Sequence, residues 1–251
     1  MKHKLLFFVL LLCAAAAYAS DIYVVAVGIN DYKYINDLKM AEADAQDIAA
    51  LYRTHTKNVK VLLGSQATHD SILSTLKTYF STAKEDDIVV FFFSGHGSSG
   101  ELCAYDTKSK KTAVTYSEVQ EAIRCCKAGN KQLFIDACFS GGLRGSTKPA
   151  PNTSGCHSPL SDTEGVMLFL SSRTGEMSRE NPWSGNGYFT QYLIMGIKGG
   201  ADSNGDRIIT AKEIFTFVSA KVSERTQDSQ HPVIWGKFND DMHIMNWNPK
   251  K

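Results

Sequence analysis

The chain contains IVVFFFSGHG at positions 88–97, an apolar run that ends in a histidine between two glycines. A second run, LFIDACFSGG at positions 133–142, ends in a cysteine that is also followed by glycines. Consecutive apolar residues of this kind indicate strands buried on both faces of a parallel sheet. His96 and Cys138 therefore each follow a predicted central strand. The glycines beside them let the backbone approach a substrate closely.

Other strands and helices alternate around these two runs. This alternation predicts an α/β protein, with a mostly parallel central sheet covered by helices on both faces in three layers. The apolar pattern predicts strands at 22–28, 59–63, 88–93, 132–136 and 166–171, and helices at 38–53, 71–83, 116–127 and 188–197.

His96 and Cys138 are predicted to meet at one edge of this sheet, where ligands of such folds bind. They are 42 residues apart, which is the length of one crossover between neighbouring strands. A thiol attacks a carbonyl as the thiolate, and a nearby imidazole generates that thiolate. The pair therefore predicts nucleophilic catalysis. The alternative, a packed histidine and a buried structural cysteine, leaves both glycine-rich contexts unexplained.

The motifs SGHG at 94–97 and DACFSG at 136–141 resemble the catalytic signature of caspase-like cysteine peptidases, in their metacaspase and paracaspase branch. VGIN at 27–30, ADA at 43–45 and HPV at 231–233 extend the resemblance over nearly the whole chain. It implies a caspase-like three-layer sandwich, with His96 as the base and Cys138 as the nucleophile. It also implies that the backbone N–H groups of Gly97 and Cys138 bind the oxyanion, and that the chemistry requires no cofactor.

Asp136 stands where the caspase motif has glutamine, which points away from true caspases. Side chains two apart share a face of a strand, so Asp136 lies roughly 6 to 7 Å from the nucleophile along the chain and would attract a cation there. By resemblance, Asp44 is the second carboxylate of that pocket. Together they predict peptide or protein substrates cleaved after Arg or Lys. The alternatives are a turn or cap for Asp136 and a solvated helix surface for Asp44.

Residues 142–164 are rich in glycine, proline and serine, so we expect an exposed linker loop there. Arg144 and Lys148 lie in this loop, and the resemblance implies that a maturation cleavage can occur after them. An uncut loop at the rim of the active site is the alternative. Ser171 and Ser172, at the end of the next strand, begin a segment expected to line the substrate groove and pair with extended peptide.

A separate segment, DSNGDRIITAKE at 202–213, matches the twelve-position calcium loop. Arg207 occupies the sixth position, where glycine normally allows the sharp turn. The alternative is a polar turn followed by a capped helix, so calcium binding stays open. The predicted ligands are Asp202, Asn204, Asp206, Thr210 and Glu213, with the carbonyl of Ile208.

The first 19 residues predict a signal peptide. Lys2 and Lys4 precede an apolar run at 5–12, and AYA at 17–19 is a cleavage sequence, which predicts a secreted or periplasmic domain at 20–251. The run is too short to span a membrane. The formal net charge of +1 gives no reason to expect nucleic acid or anionic membrane as a partner. The mature chain keeps five cysteines, an odd number, and Cys138 is the candidate for the free thiol.

Two alternatives to hydrolysis remain open. A caspase-like fold can bind peptides without turnover, although His96 and Cys138 are both intact here. A thiol nucleophile can also transfer the acyl group to an amine, and nothing in the residues separates that reaction from hydrolysis.

Overall fold

The computed structural model describes residues 20–98, 100–137 and 164–248. The predicted signal peptide 1–19, Cys138, Arg144, Lys148 and nearly all of the predicted loop 142–164 lie outside these ranges. The helices are α1 (Ala41–Arg53), α2 (His69–Phe80), α3 (Tyr116–Ile123), α4 (Tyr188–Met195) and α5 (Ala211–Arg225). The strands are β1 (Ile22–Gly28), β2 (Val59–Leu63), β3 (Ile88–Gly95), β4 (Gly97–Ser98), β5 (Glu101–Leu102), β6 (Val114–Thr115), β7 (Asn130–Ala137), β8 (Val166–Leu170), β9 (Glu180–Asn181), β10 (Asn186–Gly187), β11 (Ile208–Thr210), β12 (Val233–Lys237) and β13 (His243–Asn246).

Six strands form the central sheet, in the order β12-β8-β7-β3-β1-β2. The pairs from β8 to β2 are parallel, and only β12 runs antiparallel, along β8. This confirms the predicted α/β class and the mostly parallel sheet. Parallel neighbours need a crossover between them. Helices α1, α2 and α3 lie in the connections that join β1, β2, β3 and β7, and most of the connection from β7 to β8 lies outside the described residues.

Helices cover both faces of the sheet. One apolar cluster packs α2 and α3 against the sheet, with Ile72 and Val119 among its members. The other packs α1, α4 and α5 against the opposite face, with Ile48, Leu193 and Ile214 among its members. The architecture is therefore the predicted three-layer sandwich.

Strand β3 shows why the sheet is apolar on both faces. Phe91 and Phe93 belong to the cluster on one face, and Val90 and Phe92 belong to the cluster on the other. Successive side chains of a strand point to opposite faces, so a strand between two helical layers must be apolar at every position. The same rule accounts for the run in β7.

All four predicted helices are shorter than predicted. Helix α2 covers His69–Phe80 rather than 71–83, and α4 covers Tyr188–Met195 rather than 188–197. Helix α1 begins at Ala41 rather than at residue 38, because residues 38–40 form a turn. Helix α3 ends at Ile123 rather than at residue 127, where the Cys126 N–H donates to the Ile123 carbonyl in a tighter turn. That turn lets the chain reverse and enter β7 within a few residues.

The short strands were not predicted. Strands β4, β5 and β6 form a small antiparallel sheet after His96, and β9 and β10 form a hairpin after β8. Two-residue strands carry no periodic pattern, so only tertiary contacts define them. In the described part of the chain, no helix is long and apolar enough to cross a bilayer.

Candidate active site

The carboxyl ends of β3 and β7 lie side by side. Ser94 pairs with Asp136 and Gly95 pairs with Ala137 in parallel register. His96 follows directly on one strand, and Cys138 is the next residue of the chain after the other. The predicted neighbourhood of the two strand ends is thus confirmed, while Cys138 itself lies outside the described residues.

The His96 imidazole is held in one orientation. Its Nε2 lies 2.8 Å from the backbone oxygen of Asn36. A carbonyl oxygen only accepts, so Nε2 carries the proton and Nδ1 keeps its lone pair. Burial lowers the pKa of His96, which favours the neutral imidazole. The Asn36 carbonyl orients the imidazole, and sequence reasoning missed it because a backbone oxygen has no side-chain signature.

Tyr32 explains the glycine before the histidine. The backbone N–H of His96 donates to Tyr32 Oη over 2.7 Å. A Cβ on Gly95 would lie 2.5 Å from that same oxygen. Only glycine at position 95 therefore lets the Tyr32 hydroxyl reach the backbone N–H of His96. Gly97 is buried and begins β4, paired with Leu102. Its predicted role as an oxyanion donor stays a prediction.

A cavity of about 40 Å³ opens next to His96. Such a volume is comparable with a few water molecules, so it takes only the end of a side chain. The carboxylates of Asp44 and Asp136 face it, as predicted for a shared pocket. Its other polar lining residues are Ser94, His96, Ser178, Arg179 and Glu180.

Asp44 lies on α1, yet only 2% of its surface is exposed, which excludes the solvated alternative. Its carboxylate accepts hydrogen bonds from Ser94 Oγ at 2.8 Å and from the Gly187 N–H at 3.0 Å. Burial raises the pKa of Asp44 well above its ordinary value, and the nearby charge of Asp136 raises it further.

Asp136 is equally buried, at 5% exposure. Its Oδ2 accepts from the Thr190 hydroxyl at 2.6 Å and from the Thr190 N–H at 3.2 Å, and its Oδ1 accepts from Ser178 Oγ. Burial raises the pKa of Asp136, while these donors lower it. Because Thr190 lies in the first turn of α4, Asp136 also caps that helix, so its capping role and its place in the cavity coexist.

Gly187 has no side chain and so leaves room for both carboxylates. A Cβ at this position would lie 2.8 Å from Asp136 Oδ2 and 3.4 Å from Asp44 Oδ2. Two buried carboxylates this close repel one another unless a proton or a cation lies between them. The donors named above are all uncharged, and neither acid has a salt-bridge partner among the described residues. The raised pKa values of the two acids are the consequence of their burial and of this repulsion.

Glu180 is a third acid on the cavity, and no sequence pattern pointed to it. Its Oε1 accepts from the N–H groups of Lys39 and Met40, each at 2.9 Å. These bonds tie β9 to the turn before α1. Residues of a two-residue strand reach the site only because the hairpin folds back over it, and no sequence pattern reports that.

Ser171 and Ser172 are both fully buried. Ser171 Oγ lies 3.2 Å from both the N and the O of Ala137. Ser172 Oγ donates to the Glu176 carbonyl at 3.3 Å. Their side chains support the end of β7 and the following turn, and the predicted substrate contact stays a prediction.

The segment 202–213 forms a polar turn that leads into α5. Arg207 has φ 67°, the left-handed conformation that glycine usually supplies at the sixth position. The carboxylate of Asp202 accepts from the N–H groups of Gly205 and Arg207, and Ser203 donates to Glu213 at 2.8 Å. Among the described residues, no three histidines, cysteines or acids converge as a metal site.

The remaining predicted ligands of this segment stay close to it. Asn204, Asp206 and Ile208 are joined by hydrogen bonds within the turn. Thr210 is the N-cap of α5, in a capping box with Glu213. These bonds match the alternative of a polar turn followed by a capped helix, and calcium binding stays a prediction.

The family model of the caspase domain matches residues 22–243. The fold is also similar to the solved structure of protein GSU0716 from Geobacter sulfurreducens, with a TM-score of 0.65. The sequences are 16% identical over 88% of this chain and 95% of that chain, so this likeness shows the fold alone. A search of curated proteins finds no significant match. Membership of a peptidase family implies protein or peptide substrates, and this chain belongs to the caspase domain family of cysteine peptidases.

Proposed function

We propose that this protein is a secreted cysteine endopeptidase that cleaves after Arg or Lys, with Cys138 as the nucleophile and His96 as the base. The arrangement of His96 supports the base assignment, because its Nδ1 lone pair is free when Nε2 donates to Asn36. Its lowered pKa keeps the imidazole neutral near pH 7.

The proposed reaction uses one proton shuttle. Cys138 Sγ gives its proton to His96 Nδ1 and attacks the substrate carbonyl carbon, and the N–H groups of Gly97 and Cys138 bind the resulting oxyanion. Collapse of the tetrahedral intermediate breaks the C–N bond, and the leaving amine takes the proton from His96. Water then hydrolyses the thioester, again with His96 as the base.

The observation that carries the specificity is the pair Asp44 and Asp136 in one buried cavity beside His96. A guanidinium or ammonium group entering it would replace the repulsion of two carboxylates by attraction, in a place that water screens poorly. An aspartate side chain would meet like charge there. Caspase-type substrates should therefore be rejected.

A panel of four peptides tests this proposal. The peptides differ only in the residue before the reporter group, which is Arg, Lys, Asp or Leu, and the matched proteins are wild type, Cys138→Ala and His96→Ala. We expect turnover of the Arg and Lys peptides by wild type alone. Turnover of the Arg peptide by Cys138→Ala would remove the mechanism.

Two outcomes of the same panel identify the alternatives. Binding of the Arg peptide without any product would make the protein a peptide-binding relative rather than an enzyme. Product joined to an added amine, in preference to free acid, would make it an acyl transferase. Both are read directly by mass spectrometry of the peptide product.

We include self-processing after Arg144 or Lys148 in the proposal, because an enzyme with this specificity has basic residues in its own predicted loop. Mass spectrometry of an active wild-type preparation, compared with Arg144→Gln and Lys148→Gln, tests it. An uncut chain in an active preparation would remove self-processing and leave the peptidase proposal intact. A separate measurement of turnover with and without calcium tests whether the predicted calcium loop affects activity.

A further inference from the structure

We propose that Gln230 is a positioning residue for the acidic pocket, one that acts through Ser178 on Asp136. This inference rests on the proposed specificity for Arg and Lys. Gln230 follows α5 and its side chain is fully buried. It was not singled out by the sequence, because a lone glutamine in a turn has no recognisable pattern.

The Gln230 amide holds two segments of the site. Its Oε1 accepts from the Arg179 N–H at 3.0 Å. Its Nε2 donates to the Ser171 carbonyl at 2.9 Å and to Ser178 Oγ at 3.2 Å. A primary amide has two N–H groups, so both are used. One side chain thus fixes the chain after β8 and the chain before β9.

The hydrogen bond from Gln230 to Ser178 determines which partner the Ser178 hydroxyl donates to. Because Ser178 Oγ accepts a hydrogen from Gln230, its single hydroxyl proton is directed to Asp136 Oδ1. This donation lowers the pKa of Asp136, against the effect of burial. Gln230 therefore helps to keep Asp136 in the charged form that a cationic side chain needs.

The bond to Ser171 supports the other half of the site. Ser171 Oγ contacts both backbone polar atoms of Ala137, the residue before Cys138. The Ser171 carbonyl is in turn fixed by Gln230. The same amide thus supports the specificity carboxylate and the backbone that leads to the proposed nucleophile.

A neutral amide suits this position. His96, Arg179 and Glu180 are the other charged or titratable groups on the cavity, and Asp44 and Asp136 already repel each other. A buried carboxylate in place of Gln230 would add a third charge and remove both N–H donors. Gln230 instead satisfies three partners without changing the charge of the pocket.

The test compares two buried glutamines. Gln230→Met removes the amide at nearly constant length, and Ser178→Ala removes the hydroxyl that it orients. Gln132→Met is the matched control, since Gln132 is also fully buried but donates to Asn130 and to the His243 carbonyl at the opposite end of β7. The readouts are KM and kcat for an Arg peptide at several pH values, and the melting temperature.

We expect Gln230→Met and Ser178→Ala each to raise KM for the Arg peptide about tenfold, with a smaller change in kcat, because each weakens a hydrogen bond to a buried charge. The double variant should be little worse than the single variants, since both act through one bond. In both single variants, the pH above which KM falls should be higher than in wild type. The reason is that the Asp136 carboxylate loses a hydrogen-bond donor and becomes ionised only at a higher pH. Gln132→Met should lower the melting temperature and leave KM unchanged.

An unchanged KM in Gln230→Met, or fully additive effects in the double variant, would overturn this inference. If Gln230→Met does not fold, Ser178→Ala decides alone, and an unchanged KM there overturns it. These results differ from failure of the proposed function, which would appear as a wild-type enzyme that does not prefer Arg or Lys.

Discussion

Asp44 and Asp136 make the folded protein sensitive to pH. Burial raises the pKa of both groups above the ordinary value of 3.8. A carboxyl group that holds its proton more tightly in the folded state stabilises the protein at low pH. This contribution is lost as the pH rises through the folded pKa of the group. The folded protein should therefore be least stable at pH values at which both acids are ionised.

We accordingly expect Asp44→Asn to melt at a higher temperature than wild type at about pH 8, and the difference to shrink toward about pH 4. Thermal unfolding across this range measures it. Asp47→Asn is the control, because Asp47 lies exposed on the same helix and accepts from Asn186 Nδ2. Parallel curves for wild type and Asp44→Asn would contradict the proposed cost of ionising the buried carboxylates.

Gly187 gives a steric test of the same pocket. An alanine there keeps an ordinary backbone conformation, with φ −62°, but its methyl group would lie against both carboxylates. We expect Gly187→Ala to raise KM for Arg peptides at least about tenfold, since the methyl group fills space meant for the substrate. Kinetics with the Arg peptide check this, and an unchanged KM would contradict the steric role of Gly187.

At the scale of single elements, the turn 202–213 stores strain at one residue. Arg207 holds a positive φ that costs little only for glycine. Arg207→Gly should raise the free energy of unfolding by about 0.5–1 kcal/mol, whereas Arg207→Ala should not, since alanine keeps the strain. Denaturant unfolding measures both. Equal effects of the two substitutions would assign the change to the lost charge rather than to the backbone.

Most long elements were predictable and the two-residue strands were not. Helix α5 and strand β12 are long elements for which no range was predicted. The apolar run at 88–93 in β3 and the shorter one at 133–135 in β7 reveal buried strands, and the order of strands and helices then leads to the sheet. The hairpin of β9 and β10 has two-residue strands, so neither it nor Glu180 could be predicted. The start of α1 was missed because the turn at 38–40 is set by Glu180, which is 140 residues away from Met40.

At the scale of the whole molecule, the site is assembled from distant parts of the chain. Asn36, Asp44, His96, Asp136 and Gln230 each come from a different segment. The sequence identified Asp44, His96 and Asp136 through motifs and a family resemblance. It could not identify Asn36, which acts through its backbone carbonyl, or Gln230, which acts through tertiary contacts alone.

This assembly also explains why both faces of the sheet are needed. Asp44 is carried by α1, and Thr190, which binds Asp136, lies in α4 on the same helical layer. The packing of these two helices on one face therefore brings the carboxylates together beyond the ends of the strands. The crossover through α3, on the other face, sets β7 beside β3.

The central claim is that Asp44 and Asp136 select a positive charge next to the catalytic pair. The most direct test is kcat/KM for two peptides that differ only in arginine or citrulline before the scissile bond, with wild type and Asp136→Asn. Citrulline keeps the shape of arginine and removes its charge. We predict that wild type prefers arginine by more than about 30-fold, the effect of roughly 2 kcal/mol from a buried charge pair, and that Asp136→Asn loses most of this preference. Equal cleavage of the two peptides by wild type, or an arginine preference that survives in Asp136→Asn, would contradict the account.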